Sequence, residues 1–183
     1  NKWDFSGFEE DIKRLREYGS SYPPVEEQFS IGSFLDICRK RSVDEITDNF
    51  YRSRHRTSTR AGILKSVACF QFAKVLKDYG INCFQDLPPL IGNERLEDSI
   101  KKIPGQRTGL TISYFYMLAG EENFIKPDRM IIRFIESCLG RRVDSNEASS
   151  LIMSAHKILV SDFPTLTPRQ LDHEIWKYQR KRG

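Results

Sequence analysis

Three stretches of the sequence carry residue types and spacings that could do chemistry. The first centres on Asp128, which follows Pro127 and precedes a run with apolar residues at Met130, Ile131, Phe134, Ile135, Cys138 and Leu139. That spacing predicts an amphipathic helix with the proline at its first position and the acid at its head. The helix dipole favours a negative charge there and helps to keep the carboxylate ionised. The plain reading is an acid that only stabilises the helix start. The chemical reading is a carboxylate that orients or deprotonates a water molecule. The second stretch is Ile103-Pro104-Gly105-Gln106-Arg107-Thr108-Gly109. Proline and glycine end one helix and the next begins close by, which predicts a tight turn. If exposed, its amides can hold a phosphate without reading sequence; otherwise it is a bare connection between helices. The third is residues 51–60, where Arg52, Arg54, Arg56 and Arg60 surround His55. It is either a solvated loop or a surface facing a polyanion.

Taken together, the turn and the acid resemble the helix–hairpin–helix DNA glycosylases of the HhH-GPD superfamily. The match is carried by Ile103-Pro104-Gly105 and by Asp128-Arg129-Met130-Ile131-Ile132-Arg133, at a separation that suits the family. Residues 100–135 hold the specific part, and an all-helical pattern extends it over residues 43–180. The resemblance implies an all-α, two-lobed helical bundle with a helix–hairpin–helix motif. It implies a base-excision-repair DNA glycosylase that binds double-stranded DNA, with Gly105, Gln106, Arg107, Thr108 and Gly109 at the phosphates. Arg54 and His55 would contact phosphate or fill the gap left by an extruded base. Asp128 would stabilise the developing oxocarbenium charge and activate the attacking water. A monovalent cation held by hairpin carbonyls is the one cofactor implied, with no metal held by side chains. Tyr114 and Trp176, with Phe115 and Tyr116, are the candidates to stack on an extruded base, and ordinary core packing is the competing reading for each.

The chain departs from the family pattern at two places. Arg107 stands where a second glycine is usual, and Gly109 stands where bifunctional members carry their lysine nucleophile. The expected activity is therefore monofunctional, using water and forming no imine. The alternative is a non-catalytic member of the same fold that binds DNA or a protein. A third reading is a helical interaction domain in which the hairpin match is accidental.

The elements that must position these residues read as helices throughout. In a chain of 183 residues with 39% apolar content they predict an N-terminal arm, 1–28, packed on one domain, 29–183. Helices are expected at 8–18, 30–39, 44–52, 95–102 and 108–119, with the longest at 59–79. The helix at 108–119 should bury Leu110, Tyr114, Met117 and Leu118. A capping box, Asp144 with Glu147, should open a helix at 145–160, and Thr167 with Gln170 should open the last one. In that last helix Leu171, Ile175 and Tyr178 should face inward, and His156 is expected to be a satisfied structural residue. The net charge of +4 permits a polyanionic partner without requiring one. Four scattered cysteines with no C-x-x-C pair read as reduced, intracellular thiols without a local metal site, and the protein is expected to be a monomer. No apolar run approaches membrane-spanning length.

Overall fold

Side-chain caps mark most helix starts. In the computed structural model, which describes residues 22–59 and 61–182, the Ser30 hydroxyl accepts the Ser33 amide and opens α1 (Ile31–Arg39). A reciprocal box between Ser42 and Glu45 opens the single turn Val43–Glu45. That turn widens into a π-helical segment, Ile46–Tyr51. The remaining helices are α2 (Lys65–Asp78), α3 (Glu94–Lys101, capped by Asn93), α4 (Leu110–Leu118), α5 (Arg129–Leu139), α6 (Ser145–Leu159) and α7 (Pro168–Arg182). Among the described residues, extended pairing is limited to a single bridge between Arg56 and Leu64. The fold is all-α, as the sequence leads one to expect.

The chain divides at Gly109–Leu110 into two compact units. In the first, α1 and α3 pack on α2, burying Leu35, Cys38, Ala68, Ala73, Leu76, Leu96 and Ile100. A buried hydrogen bond of 2.7 Å between the Thr47 and Ser66 hydroxyls ties the π-helical segment to α2. The expected helix at 8–18 lies outside the described residues. From Tyr22 the chain is docked: Pro23 is buried, its carbonyl accepts from Gln28 and Gln85, and the Gln28 carboxamide accepts the Phe84 amide. In the second unit the core is Ile125, Ile131, Ile135, Ala148 and Ile152, with Leu171, Ile175 and Trp176 packed against it.

Five expectations need correction. The helix expected at 59–79 starts at Lys65, and α6 and α7 are longer. The chain is instead drawn together on either side of the expected start: the Thr57 amide bonds to the Ile63 carbonyl, and the Lys65 amide to the His55 carbonyl. Those bonds engage the Ile63 carbonyl and the Lys65 amide, which a helix over 59–79 would have used for itself. In α4, Tyr114 and Leu118 are exposed; Met117 is buried as expected, and Ile112, Tyr116 and the following Ala119 complete the buried face. At the head of α5, Pro127 lies before the cap, and Asp128 itself is the cap residue. At the head of α6, Asp144 caps as expected but Glu147 does not reach back to it. Its carboxylate is taken by a two-pronged pair with Arg141, at 2.5 and 3.1 Å. A bidentate guanidinium is a stronger partner for a carboxylate than a single amide. The last helix follows the sequence more closely, since Thr167 and Gln170 cap each other reciprocally. Leu171 and Ile175 pack inward, and Tyr178 is exposed. His156 is satisfied by the Leu166 carbonyl at 2.8 Å.

Candidate functional site

Two places bring together residues singled out in the sequence, one in each unit. In the first unit the basic loop and the glycine turn meet through Thr57. Its hydroxyl donates to the Pro104 carbonyl at 2.9 Å and accepts the Ile63 amide at 3.2 Å. Gly105 lies beneath it at φ +88°, a conformation that side chains resist. A β-carbon there would stand 2.3 Å from the Thr57 hydroxyl and 2.4 Å from its β-carbon. Only glycine lets the loop approach this closely.

Within this pair of segments the cations differ in availability. Arg54 is matched by two carboxylates, donating to both Asp48 oxygens at 2.9 and 2.6 Å and to Asp44 at 2.8 Å. Those acids raise its proton affinity further and make it a clamp between the loop and the π-helical segment. Arg56 donates to the Gly62 carbonyl. Arg52 sits at φ +46° with its side chain exposed. His55, Arg107 and Thr108 are also exposed, whereas Gln106 and Gly109 are half-buried. Inside the turn, the Gln106 amide bonds to the Ile103 carbonyl and the Gly109 amide to the Gln106 carbonyl. A phosphate would therefore find two of the expected amides already engaged.

In the second unit the segment 121–128 carries Asp128 to the head of α5. One oxygen, Oδ1, accepts the Met130 and Ile131 amides at 2.8 and 3.3 Å. The other, Oδ2, lies 3.9 Å from the Lys126 ammonium, with both side chains about a quarter exposed. The same ammonium stands 3.7 Å above the Tyr114 ring. Neither Lys126 nor Asp172 stands out in the sequence as part of a site. Asp172, from α7, is buried and accepts the Lys126 amide at 3.1 Å. Burial pushes its carboxyl up to about 6; the Asp128 charge adds to the rise, and the Lys126 amide bond and ammonium oppose it. A signal for Asp172 does exist in the sequence. It falls on the stripe of α7 that holds Pro168, Leu171 and Ile175, where an acid is out of place. Thr57 has no such signal.

Trp176 is half-buried against the core, stacked on His173 and covered by the Arg180 guanidinium at 5.0 Å. Tyr116 is fully buried beside Phe115 and Phe124. Of the aromatics considered for stacking on a base, Tyr114 is the exposed one, and its ring face is covered by Lys126.

The arrangement in the second unit is a pair of carboxylates linked through one lysine, one capped and partly open, the other buried and ready to take a proton near neutral pH. Such a pair can divide acid and base work between its members. No helix among the described residues is long and apolar enough to cross a membrane. No curated protein and no solved structure matches the chain. The resemblance to the helix–hairpin–helix glycosylases is not upheld, since no profile of that superfamily matches. The features that carried it have a simpler origin: Asp128 is a helix cap, Ile131 is the first core residue of an amphipathic helix, and Arg133 lies on its exposed face. Any helix with a capping acid produces that pattern. Residues 3–180 match instead the family described as a domain of unknown function, DUF8548, and the chain belongs to that family.

Proposed function

We propose that the protein binds double-stranded DNA and hydrolyses an N-glycosidic bond within it, with Asp128 as the working carboxylate. The observation that carries this reading is the division of labour within Asp128. The helix takes one oxygen and holds the group in place, while the other stays partly open beside a second, protonatable carboxyl. A carboxylate so held can face the positive charge that builds on a sugar as its base departs, and can draw a proton from water. The reading includes the two-lobed, hairpin-bearing architecture expected from the sequence. Its DNA-facing part is the loop and turn joined by Thr57.

The test is a panel of duplex oligonucleotides with modified bases, treated with heat or alkali to reveal abasic sites. Asparagine caps helices as well as aspartate does. Asp128→Asn should therefore keep the fold and the affinity for DNA while lowering base release by about a hundredfold or more. Equal activity in Asp128→Asn would overturn the catalytic role.

A second reading is favoured by the Lys126 ammonium, which stands against the open oxygen of Asp128. In that reading the domain binds DNA and performs no chemistry. Both readings share an expectation about salt. Each phosphate contact contributes about 0.9 to the slope of log affinity against log salt concentration. Arg107→Ala should weaken binding and flatten that slope by about one contact, whereas Arg54→Ala, whose charge is already matched, should change it less. Titrations at several salt concentrations check this.

A further inference from the structure

We propose that Asp172 is a positioning residue for Asp128, gripping the chain from α7 so that the open oxygen of Asp128 is presented in one geometry. The proposal rests on reading Asp128 as the working carboxylate, and it stands on the way segment 121–128 is held.

The segment is fastened to the start of α7 at both ends. At the first end, Glu122 accepts from the Arg169 guanidinium and the Thr167 hydroxyl, and its carbonyl accepts the Arg169 amide. At the second, the Asp172 carboxylate accepts the Lys126 amide. Between them Ile125 is buried in the core. Only Pro127, itself buried, separates Lys126 from Asp128, and the Asp128 amide bonds back to the Lys126 carbonyl at 2.6 Å. That tight turn leaves little freedom between the two residues. A grip on the Lys126 backbone is therefore a grip on Asp128.

The grip also has a charge. The charged groups that act on Asp172 are Asp128 and Lys126. When Asp172 is ionised, the Lys126 ammonium is attracted by two negative charges, those of Asp128 and Asp172. When Asp172 is protonated, only Asp128 and the Tyr114 ring hold it. An amide side chain at 172 could accept the same backbone donor but could not make this change. The carboxylate thus links the setting of Lys126 and Asp128 to pH, which a purely structural acceptor would not do.

The experiment pairs two variants with two readouts on the full chain. In a pH series, the amide signals of Lys126 and Asp128 in a nitrogen–proton correlation spectrum should move together with a midpoint near 6, as the Asp172 carboxyl titrates. Asp172→Asn should abolish that movement while leaving the rest of the spectrum in place. In the base-release assay, Asp172→Asn should remove the limb of the pH–rate profile near 6. Asp172→Ala, which drops the grip, should lower kcat about a hundredfold with little change in KM, as small misplacements of a working group do. Amide signals that stay still through pH 6, or an Asp172→Asn profile superimposable on the parent's, overturn the proposal. If no duplex yields base release but the two amides titrate together, the positioning link stands and the hydrolase reading falls.

Discussion

Gly105→Ala should destabilise the first unit by about 3 kcal/mol, measured by chemical denaturation. The residue sits at φ +88°, and a side chain in left-handed backbone costs roughly 1–2 kcal/mol. The larger problem is space, because the new methyl would fall 2.3 Å from the Thr57 hydroxyl and 2.4 Å from the Thr57 β-carbon. Neither atom is the far end of a flexible chain. The basic loop must lift from the turn, and it then loses the hydrogen bond from Thr57 to the Pro104 carbonyl, worth roughly 1 kcal/mol. In a Thr57→Gly background the same substitution should cost only the backbone strain, so the two changes should be strongly non-additive. Because the loop and turn form the proposed DNA-facing part, Gly105→Ala should also weaken duplex binding beyond what partial unfolding explains. A cost below about 1 kcal/mol would mean that the loop is not seated on the turn.

Asp172→Asn should make the protein more stable at pH 8 by roughly 2 kcal/mol, with an upper limit near 3. The sign follows from the direction in which burial moves the carboxyl. Burial raises Asp172 from the usual range to about 6, so between about pH 4 and 6 the folded chain holds a proton that the unfolded chain has released. This group therefore stabilises the fold less and less as pH rises through that window. Above it the buried charge carries its full cost, at about 1.4 kcal/mol for each tenfold gain in proton affinity on folding. Asparagine keeps an acceptor for the Lys126 amide without the charge, so the variant's advantage should vanish near pH 4 and be complete by pH 7 or 8. For a chain of this size, 2 kcal/mol corresponds to roughly 4–8 °C in Tm. A variant no more stable than the parent at pH 8 would show that Lys126 compensates the charge in full. If the gain is found together with lost pH dependence of the Asp128 setting, Asp172 exchanges stability for function, as residues at working sites often do.

The parts of this fold that the sequence makes legible are those decided locally. Asp144 and the Thr167–Gln170 pair announce helix starts because a side chain next to an amide needs no distant partner, and Ser30 and Asn93 cap by the same local rule. Where contacts beyond a single helical turn decide, sequence reasoning fails for identifiable reasons. The start of α2 is hidden because Arg56 and Leu64 pair in a bridge. The buried face of α4 was hidden because LTISYFYML is apolar on nearly every side, so its periodicity selects no stripe. Glu147 faced two partners, and a guanidinium outcompetes an amide. At the candidate site, Asp128 was legible as an acid at a helix head, and its role as the cap follows from that position. Its neighbours Lys126 and Asp172 were not, since one comes from a loop and the other from the final helix. The family resemblance was misleading for a related reason: a proline–glycine stop and a capping acid are common solutions to helix ends, and they recur without shared descent.

The clasp on segment 121–128 also bears on how the protein is made. Arg169 and Asp172 lie 47 and 46 residues beyond the loop residues they hold. A ribosome will thus have made α4, α5 and all of α6 before either anchor. Until then the turn around Pro127 has nothing to fasten it, and Asp128 caps its helix without a defined outlook. The unit acquires its hold on Asp128 only once α7 has been made, so a chain stopped just short of α7 would keep its earlier helices and lack that hold.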